Sequence, residues 1–405
     1  MTDLQPVANL SERELNRRAE QFPLGAAVTL EMLAAPDCEV MLDELRRAEP
    51  VSWIPDLGGW LVSSREIARN LLLPRGDVTV QSEQNMVRAS LGRMMLTVDA
   101  EEHGRMRGPF ERSFRPREVE RRFEDYLREL STELIGGFAS EHEFEVGRQF
   151  AAPYAVRTAG RVLGLDLGDV GRIDGFYSDF AGAMEYTGDP EPLRRADDAR
   201  SKLNELLRTR LAGSTESDSL ASDVAGESAG VLSQDELVAQ LRVVMFGAIE
   251  TIQASIMNTL LLLQLNPGAY LEVLADTSLF AGAVSESVRL IPPVAFVERW
   301  TRESIELGGV EIGPREFVGV SVIGANRDPS TFDRPHEFDV HRANSHRALS
   351  FSFGEHHCIG FHLARLQTTV GLEEITRHLG RLSMTDHNAP EGFAFRRPSF
   401  LRMAW

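Results

Sequence analysis

Phe351-Ser-Phe-Gly-Glu-His-His-Cys-Ile-Gly-Phe-His-Leu-Ala-Arg365 decides how this chain is read. It is a glycine-punctuated loop carrying one cysteine, and it runs straight into a helix-like segment. Cys358 stands at the junction. The start of a helix offers unpaired backbone N–H groups and the positive end of the helix dipole. Both favour a thiolate over a thiol. Gly354 and Gly360 permit a tight backbone around the sulfur. A loop of this kind presents one anionic sulfur ligand to a metal. The plain alternative is a buried, inert cysteine acting as a small apolar side chain.

Upstream, Ser233–Leu265 reads as one very long helix. Ser233 and Glu236 have capping-box spacing. Midway stands Phe246-Gly-Ala-Ile-Glu-Thr-Ile252. An acid beside an alcohol inside an apolar helix is costly to bury without partners. The Thr251 hydroxyl can bond back to the carbonyl of Gly247, its i−4 residue, and bulge the helix. The competing reading is a kinked core helix with no further role. His103 and Arg107 fall on one face of a helix spanning Asp99–Phe114, where they can converge on one anion; a solvated face is the alternative. Glu286 and Arg289 share a face of a helix spanning Phe280–Leu290, which by itself suggests a surface ion pair.

Phe351, Gly354, His356, Cys358 and Gly360, followed by Ala364-Arg365, resemble the haem-ligand loop of the cytochrome P450 family. Gly247, Glu250 and Thr251 match the family's acid–alcohol helix, with Ala248 replacing a usual glycine. The resemblance runs from Met41 to the end of the chain, with the motifs in the family's order. It implies that the Cys358 thiolate holds the iron of haem b, pushing electron density toward O–O cleavage. His103, Arg107 and Arg299 are implied to bind the propionates, with Phe351, His356 and Gly360 shaping the loop around the cofactor. Thr251 and Glu250 are implied to deliver protons during oxygen activation. Glu286, Arg289 and Arg342 are implied to form a buried network behind the cysteine loop. Two departures stand out: Ser352 where the family often has glycine, and Ala348 where it often has histidine.

The fold implied is mainly α with a smaller β region, a single haem domain over residues 41–405. Residues 1–40 are expected to be an N-terminal extension packing on that domain. Short strands are expected at Val51–Pro55 and Gly59–Val62, at Val294–Thr301 and Glu306–Val318, and in a hairpin over Phe393–Trp405 with Phe400 at its tip. Ser82–Leu96 reads as a long loop, and Phe144–Leu165 as one helix. Met86 and Val87 in that loop are apolar pocket candidates or ordinary packing. Phe246, Val294, Phe296 and Phe400 complete the pocket set, which suggests a hydrophobic small-molecule substrate. Phe176, Phe180, Met184 and Tyr186, around a turn at Thr187–Pro190, are read as core.

A net charge of −18 disfavours a nucleic-acid partner. Two cysteines offer no disulfide framework and suit a reducing cytosol. The polar N-terminus is not a signal peptide, and the interrupted apolar run Leu237–Leu265 reads as a buried helix, not a membrane anchor. Seven arginines lie between Arg105 and Arg122. They suggest a docking face for an acidic electron donor, and the family resemblance makes that donor a separate ferredoxin. The expected activity is insertion of one atom of O2 into the substrate. Two rivals are a peroxide-using or rearranging haem-thiolate enzyme, which the Glu250–Thr251 pair argues against, and a non-enzymatic haem sensor.

Overall fold

The computed structural model describes residues 10–165, 167–184, 190–213 and 219–405. The Tyr186 reading and most of the Thr187–Pro190 turn lie outside them. Ten strands, β1 (Val51–Ile54), β2 (Gly59–Val62), β3 (Val78–Thr79), β4 (Glu143–Glu145), β5 (Phe296–Thr301), β6 (Ile305–Leu307), β7 (Val310–Ile312), β8 (Phe317–Ser321), β9 (Ser383–His387) and β10 (Leu401–Ala404), form three small sheets. The largest has the order β1-β2-β8-β5-β3. The β1–β2 hairpin pairs Val51 with Val62 and turns through Gly58 at φ 59°. Every residue of β1, β2 and β8 is buried, as strands covered on both faces should be. Helix α1 (Glu12–Gln21) supplies part of that cover. Its Arg18 donates to Glu316 at 2.8 and 2.7 Å and lies 4.6 Å from the Trp53 ring centre.

The helices that build the site are α2 (Met86–Leu91), α3 (Ala100–Glu111), α4 (Pro116–Gly136), α5 (Ala152–Leu163), α6 (Pro190–Gly213), α7 (Gln234–Gly247), α8 (Glu250–Leu265), α9 (Phe280–Leu290) and α10 (Phe361–Leu379). In α4, Val119, Phe123, Leu127 and Leu130 recur on one turn-spaced face and are buried. That face packs on α10, and α10 in turn packs on α8 and α9. The α7–α8 run is apolar enough to cross a membrane, but 78% of it is buried inside the protein.

Three sequence expectations need correction. Ser82–Leu96 is not a plain loop: the Asn85 side chain accepts from Arg88 N at 2.9 Å and starts α2. Phe144–Leu165 is not one helix. Its first residues pair as β4, Val146–Ala151 forms a wider turn, and Pro153 sits in the first turn of α5, where its missing N–H costs nothing. The chain end forms no hairpin of its own; β10 pairs instead with β4 and β9, and Phe400 lies just ahead of it.

Candidate active site

The cysteine loop is held by its own backbone. Cys358 N–H donates to Phe351 O at 2.8 Å, and the Phe351 and Phe361 rings meet edge-on at 4.8 Å. Gly354 has φ +73°, and a Cβ there would fall 2.4 Å from Leu72 O, so only glycine fits. Ser352 has φ 61°, a left-handed angle that suits glycine far better, and its buried hydroxyl has no partner. Cys358 stands three residues before Phe361, the first residue of α10; its outer face meets solvent while its thiol is shielded by the surrounding loop. The expectation of a lowered thiol pKa is corrected in sign. Burial pushes the thiol up, and the opposing pull of the Gly360 N–H and the Arg107 charge is smaller. A bound cation at the sulfur would reverse that balance.

Beside this loop, buried nitrogens gather without partners. His103 Nε2, His356 Nδ1 and Arg299 Nη2 are buried and make no hydrogen bond. The His103 and His356 rings are 4.5 Å apart. Arg299 donates its other terminal nitrogen to Glu298 O at 2.7 Å. Burial lowers the Arg299 pKa to about 10, and burial with neighbouring His356 and Arg107 lowers that of His103 to about 4. Unsatisfied buried donors are rare in native proteins. Here they converge from α3, β5 and the cysteine loop, a donor set that fits the carboxylates of haem propionates.

Asp99 organises the same corner. Its carboxylate accepts from Val80 N at 3.3 Å, Arg302 at 3.1 Å and His356 Nε2 at 3.3 Å. Burial alone would raise its pKa, but hydrogen bonds from His356 and Thr79 outweigh that and hold it at about 2. Sequence reasoning missed Asp99; its place as the residue before a helix rich in acids was the only signal. Arg107 joins the cluster through its charge on Cys358 and His103 and lies 3.6 Å from Glu111.

The long helix expected over Ser233–Leu265 is two helices. Ser233 Oγ accepts from Glu236 N at 3.2 Å, and Glu236 accepts from Ser233 N at 2.9 Å, so the capping box forms. The break falls at Ala248 and Ile249, inside the acid–alcohol stretch. Thr251 Oγ1 donates to Gly247 O at 2.6 Å, the back-bond expected from the sequence. A Cβ on Gly247 would meet nothing within 4 Å. Glu250 is buried, and Arg397 and Tyr177 both donate to it.

The pocket candidates divide. Phe246 packs on Tyr177 at 5.6 Å and on Phe395 at 5.9 Å, one turn before Glu250. Val294 bridges to Phe395, and Val87 packs against the large helical core. Met86 opens α2 and is half-buried, as is Phe400. Phe296 is corrected to a sheet-core residue. Its ring lies over Gly319, between Phe317 and Phe393 at 5.9 and 4.5 Å.

The arginine-rich stretch is largely neutralised within the molecule. Arg105 pairs with Glu236, Arg112 with Glu227, Arg121 with Glu118 and Arg122 with Asp223. Among the described residues, Arg115 and Arg117 are its exposed members without a carboxylate partner. The Glu286 network, by contrast, assembles as expected. Arg289 donates two bonds to Glu286 at 2.8 and 2.7 Å, and Arg342 donates one at 2.7 Å. Asn326, which accepts from Leu349 N and donates to Ser350, connects that layer to the cysteine loop.

Known proteins share this arrangement. The cytochrome P450 family profile matches residues 195–391. Mycinamicin IV hydroxylase/epoxidase of Micromonospora griseorubida is 29% identical over 378 residues, covering 89% of this chain and 94% of its own. A putative cytochrome P450, YjiB, of Bacillus subtilis is 27% identical over 343 residues, covering 82% and 85%. The solved structure of P450BioI, in complex with an acyl carrier protein ligated to hexadec-9Z-enoic acid, superposes with a TM-score of 0.84 at 24% identity. It covers 93% of this chain and 100% of its own, and shows the shared fold. A cysteine loop framed by unpartnered buried nitrogens, a broken helix carrying an acid–alcohol pair, and relatives matched over most of their length lead to one assignment: the chain belongs to the cytochrome P450 family of bacterial type, monooxygenases that work with haem b.

Proposed function

We propose that Cys358 would supply the thiolate that holds the haem iron of this monooxygenase and that its substrate is a hydrophobic small molecule. One observation carries the reading: His103 Nε2, His356 Nδ1 and Arg299 Nη2 are buried without partners beside Cys358. Bound haem would supply the capacity to activate O2 with two electrons and two protons, one oxygen atom entering the substrate and the other leaving as water. The protein's own residues do the rest. His103, Arg107 and Arg299 hold the anionic edge of the cofactor. Phe351 and Gly360 shape the loop around the Cys358 sulfur. Thr251 holds a hydroxyl at the helix break, where its oxygen can accept and pass on a proton. Glu250, at the same break, is the acid that exchanges protons with it. Phe246, Val87 and Val294 exclude water and orient the apolar body of the substrate, with Met86 and Phe400 at its margins.

Electrons come from a separate ferredoxin-type donor. Of the face between Arg105 and Arg122, Arg115 and Arg117 are the cations free to meet it, as exposed charges that steer an acidic partner. Glu286, Arg289 and Arg342 act in folding and cofactor incorporation. A cytoplasmic setting agrees with two free cysteines.

The test is the carbon monoxide difference spectrum of the reduced protein. A strongly red-shifted Soret band is expected, and Cys358→Ala should abolish it. A band at the position of histidine-ligated haem in the unaltered protein would remove Cys358 from the role.

A further inference from the structure

One cavity, of about 500 Å³, is lined by charge and not by hydrocarbon. It lies where α2, α6 and α7 meet. Five guanidinium groups line it: Arg88, Arg93, Arg200, Arg208 and Arg242. Two carboxylates, Glu83 and Asp235, share the lining. Four of the five have carboxylate partners: Glu83, Glu102, Asp197 and Asp235, respectively. Glu83 and Asp235 are 89% and 77% exposed, so water competes strongly for those pairs.

Arg242 differs from the others. It is 4% exposed, and among the described residues no carboxylate pairs with it. Its Nε and Nη2 donate to Leu91 O at 3.0 and 2.6 Å, and its Nη1 donates to Asn204. Those partners are neutral. Burial, together with the charges of Arg200 and Arg208, lowers its pKa to about 10, so it stays charged at neutral pH. A buried cation held only by neutral acceptors would gain from an anion placed beside it, because charges interact strongly away from water.

Its position says what that anion belongs to. Asp235, Ala239, Arg242 and Phe246 recur at helical spacing along α7, so the cavity and Phe246 share one face. Met86 and Val87 open the helix that leads to Gly92 and Arg93 on the cavity wall. Thr251 follows Arg242 by nine positions, across the break at Ala248 and Ile249.

We propose that this arginine cavity receives the oxyanion head group of the substrate, a phosphate monoester or a carboxylate, while the apolar body runs past Phe246 toward Thr251. The inference rests on the substrate pocket proposed above and adds the chemical class of what fills it. Guanidinium forks suit such planar or tetrahedral oxyanions, because they donate in pairs.

Haem-loaded protein is titrated by calorimetry with decyl phosphate, decanoate, decanol and inorganic phosphate. The two decyl anions should bind roughly tenfold or more tightly than decanol, as expected for hydrogen bonds to charged groups. Added salt should narrow the gap. Arg200→Gln with Arg208→Gln, both partly exposed positions, should weaken the preference, and adding Arg242→Gln should abolish it, with decanol binding unchanged as the check that the protein is folded. Equal binding of decyl phosphate and decanol overturns the proposal, as does a preference that survives in the triple variant. Absence of binding by both decyl phosphate and inorganic phosphate overturns the anion site itself. Inorganic phosphate that binds without competing with decyl phosphate overturns the head-group assignment. A carbon monoxide spectrum from the same sample keeps the two readings apart. A thiolate spectrum without anion preference sinks this inference alone, whereas loss of that spectrum sinks the reading beneath it.

Discussion

Arg397 Nε donates to Glu250 Oε1 at 2.5 Å, so a residue near the end of the chain holds the acid that stands beside Thr251. Tyr177 OH donates to the other oxygen at 3.0 Å. Burial and the adjacent Glu250 charge raise the Tyr177 pKa, which keeps it a donor. Glu250 must leave one of these partners to exchange a proton. Glu250→Gln should lower turnover roughly 100-fold with little change in substrate affinity, the scale of a lost acid–base group. Arg397→Met leaves that buried carboxylate without its cation. Turnover should fall and peroxide release should rise, while Arg397→Lys, which can still donate to Glu250, should recover most of the coupling. Unchanged coupling in Arg397→Met would remove Arg397 from the proton path.

Thr251 acts through its hydroxyl at the helix break. Thr251→Ala should keep reductant consumption but lower product formation roughly tenfold, with hydrogen peroxide released in its place. Thr251→Ser should restore most of the coupling, because the bond to Gly247 O can re-form. Stoichiometry of reductant, peroxide and product is the check. Equal coupling in all three proteins would mean that the hydroxyl has no part in the reaction.

Ser352 carries a left-handed backbone angle at a cost of about 1–2 kcal/mol, and its hydroxyl gains no hydrogen bond in return. Ser352→Gly should therefore stabilise the protein by roughly 0.5–1 kcal/mol, after the extra flexibility of glycine in the unfolded chain is counted. A shift in denaturation midpoint at unchanged slope measures it.

Glu286 is the single carboxylate between Arg289 and Arg342, and both it and Arg289 are fully buried. Glu286→Gln leaves those cations without a counter-charge, which costs roughly 3–5 kcal/mol. Haem content per purified chain and the unfolding midpoint should both fall. The double change Glu286→Gln with Arg289→Met should recover part of the loss, since it removes one orphaned charge.

Asp99 gives the site an acid limit. Its folded pKa of about 2 lies below the usual carboxylate value, so its contribution to stability is complete above about pH 4. That contribution, at most about 2 kcal/mol, is lost as the pH falls toward 2. Asp99→Asn should be less stable than the parent at pH 7, and the difference should shrink on acidification.

Local grammar made much of this legible in the sequence. The Ser233–Glu236 capping box, the Gly58 turn and the glycine-framed Cys358 loop each depend on residues a few positions apart. What escaped the sequence depends on distance. Glu250 meets Arg397 across 147 positions, and His356 meets Asp99 across 257. The same blindness inflated the arginine face, because Glu227, Asp223 and Glu236 come from later helices to neutralise it. Phe296 falls where family members line their pocket, but the missing side chain of Gly319 gives its ring room inside the sheet. Arg242 looked like an interruption in an apolar helix until α2 and α6 closed around it.

The β1–β2–β8 junction sets a schedule for biosynthesis. β2 finds its parallel neighbour only when β8 emerges, about 250 residues later. At ordinary synthesis speeds of 5–20 residues per second, the hydrogen-bonding edge of β2 waits roughly 13–50 s for its partner. Throughout that interval a finished hairpin offers unpaired N–H and C=O groups to any neighbouring chain. Slower initiation, which spaces nascent chains apart, should therefore raise the yield of native protein more than a larger supply of haem does.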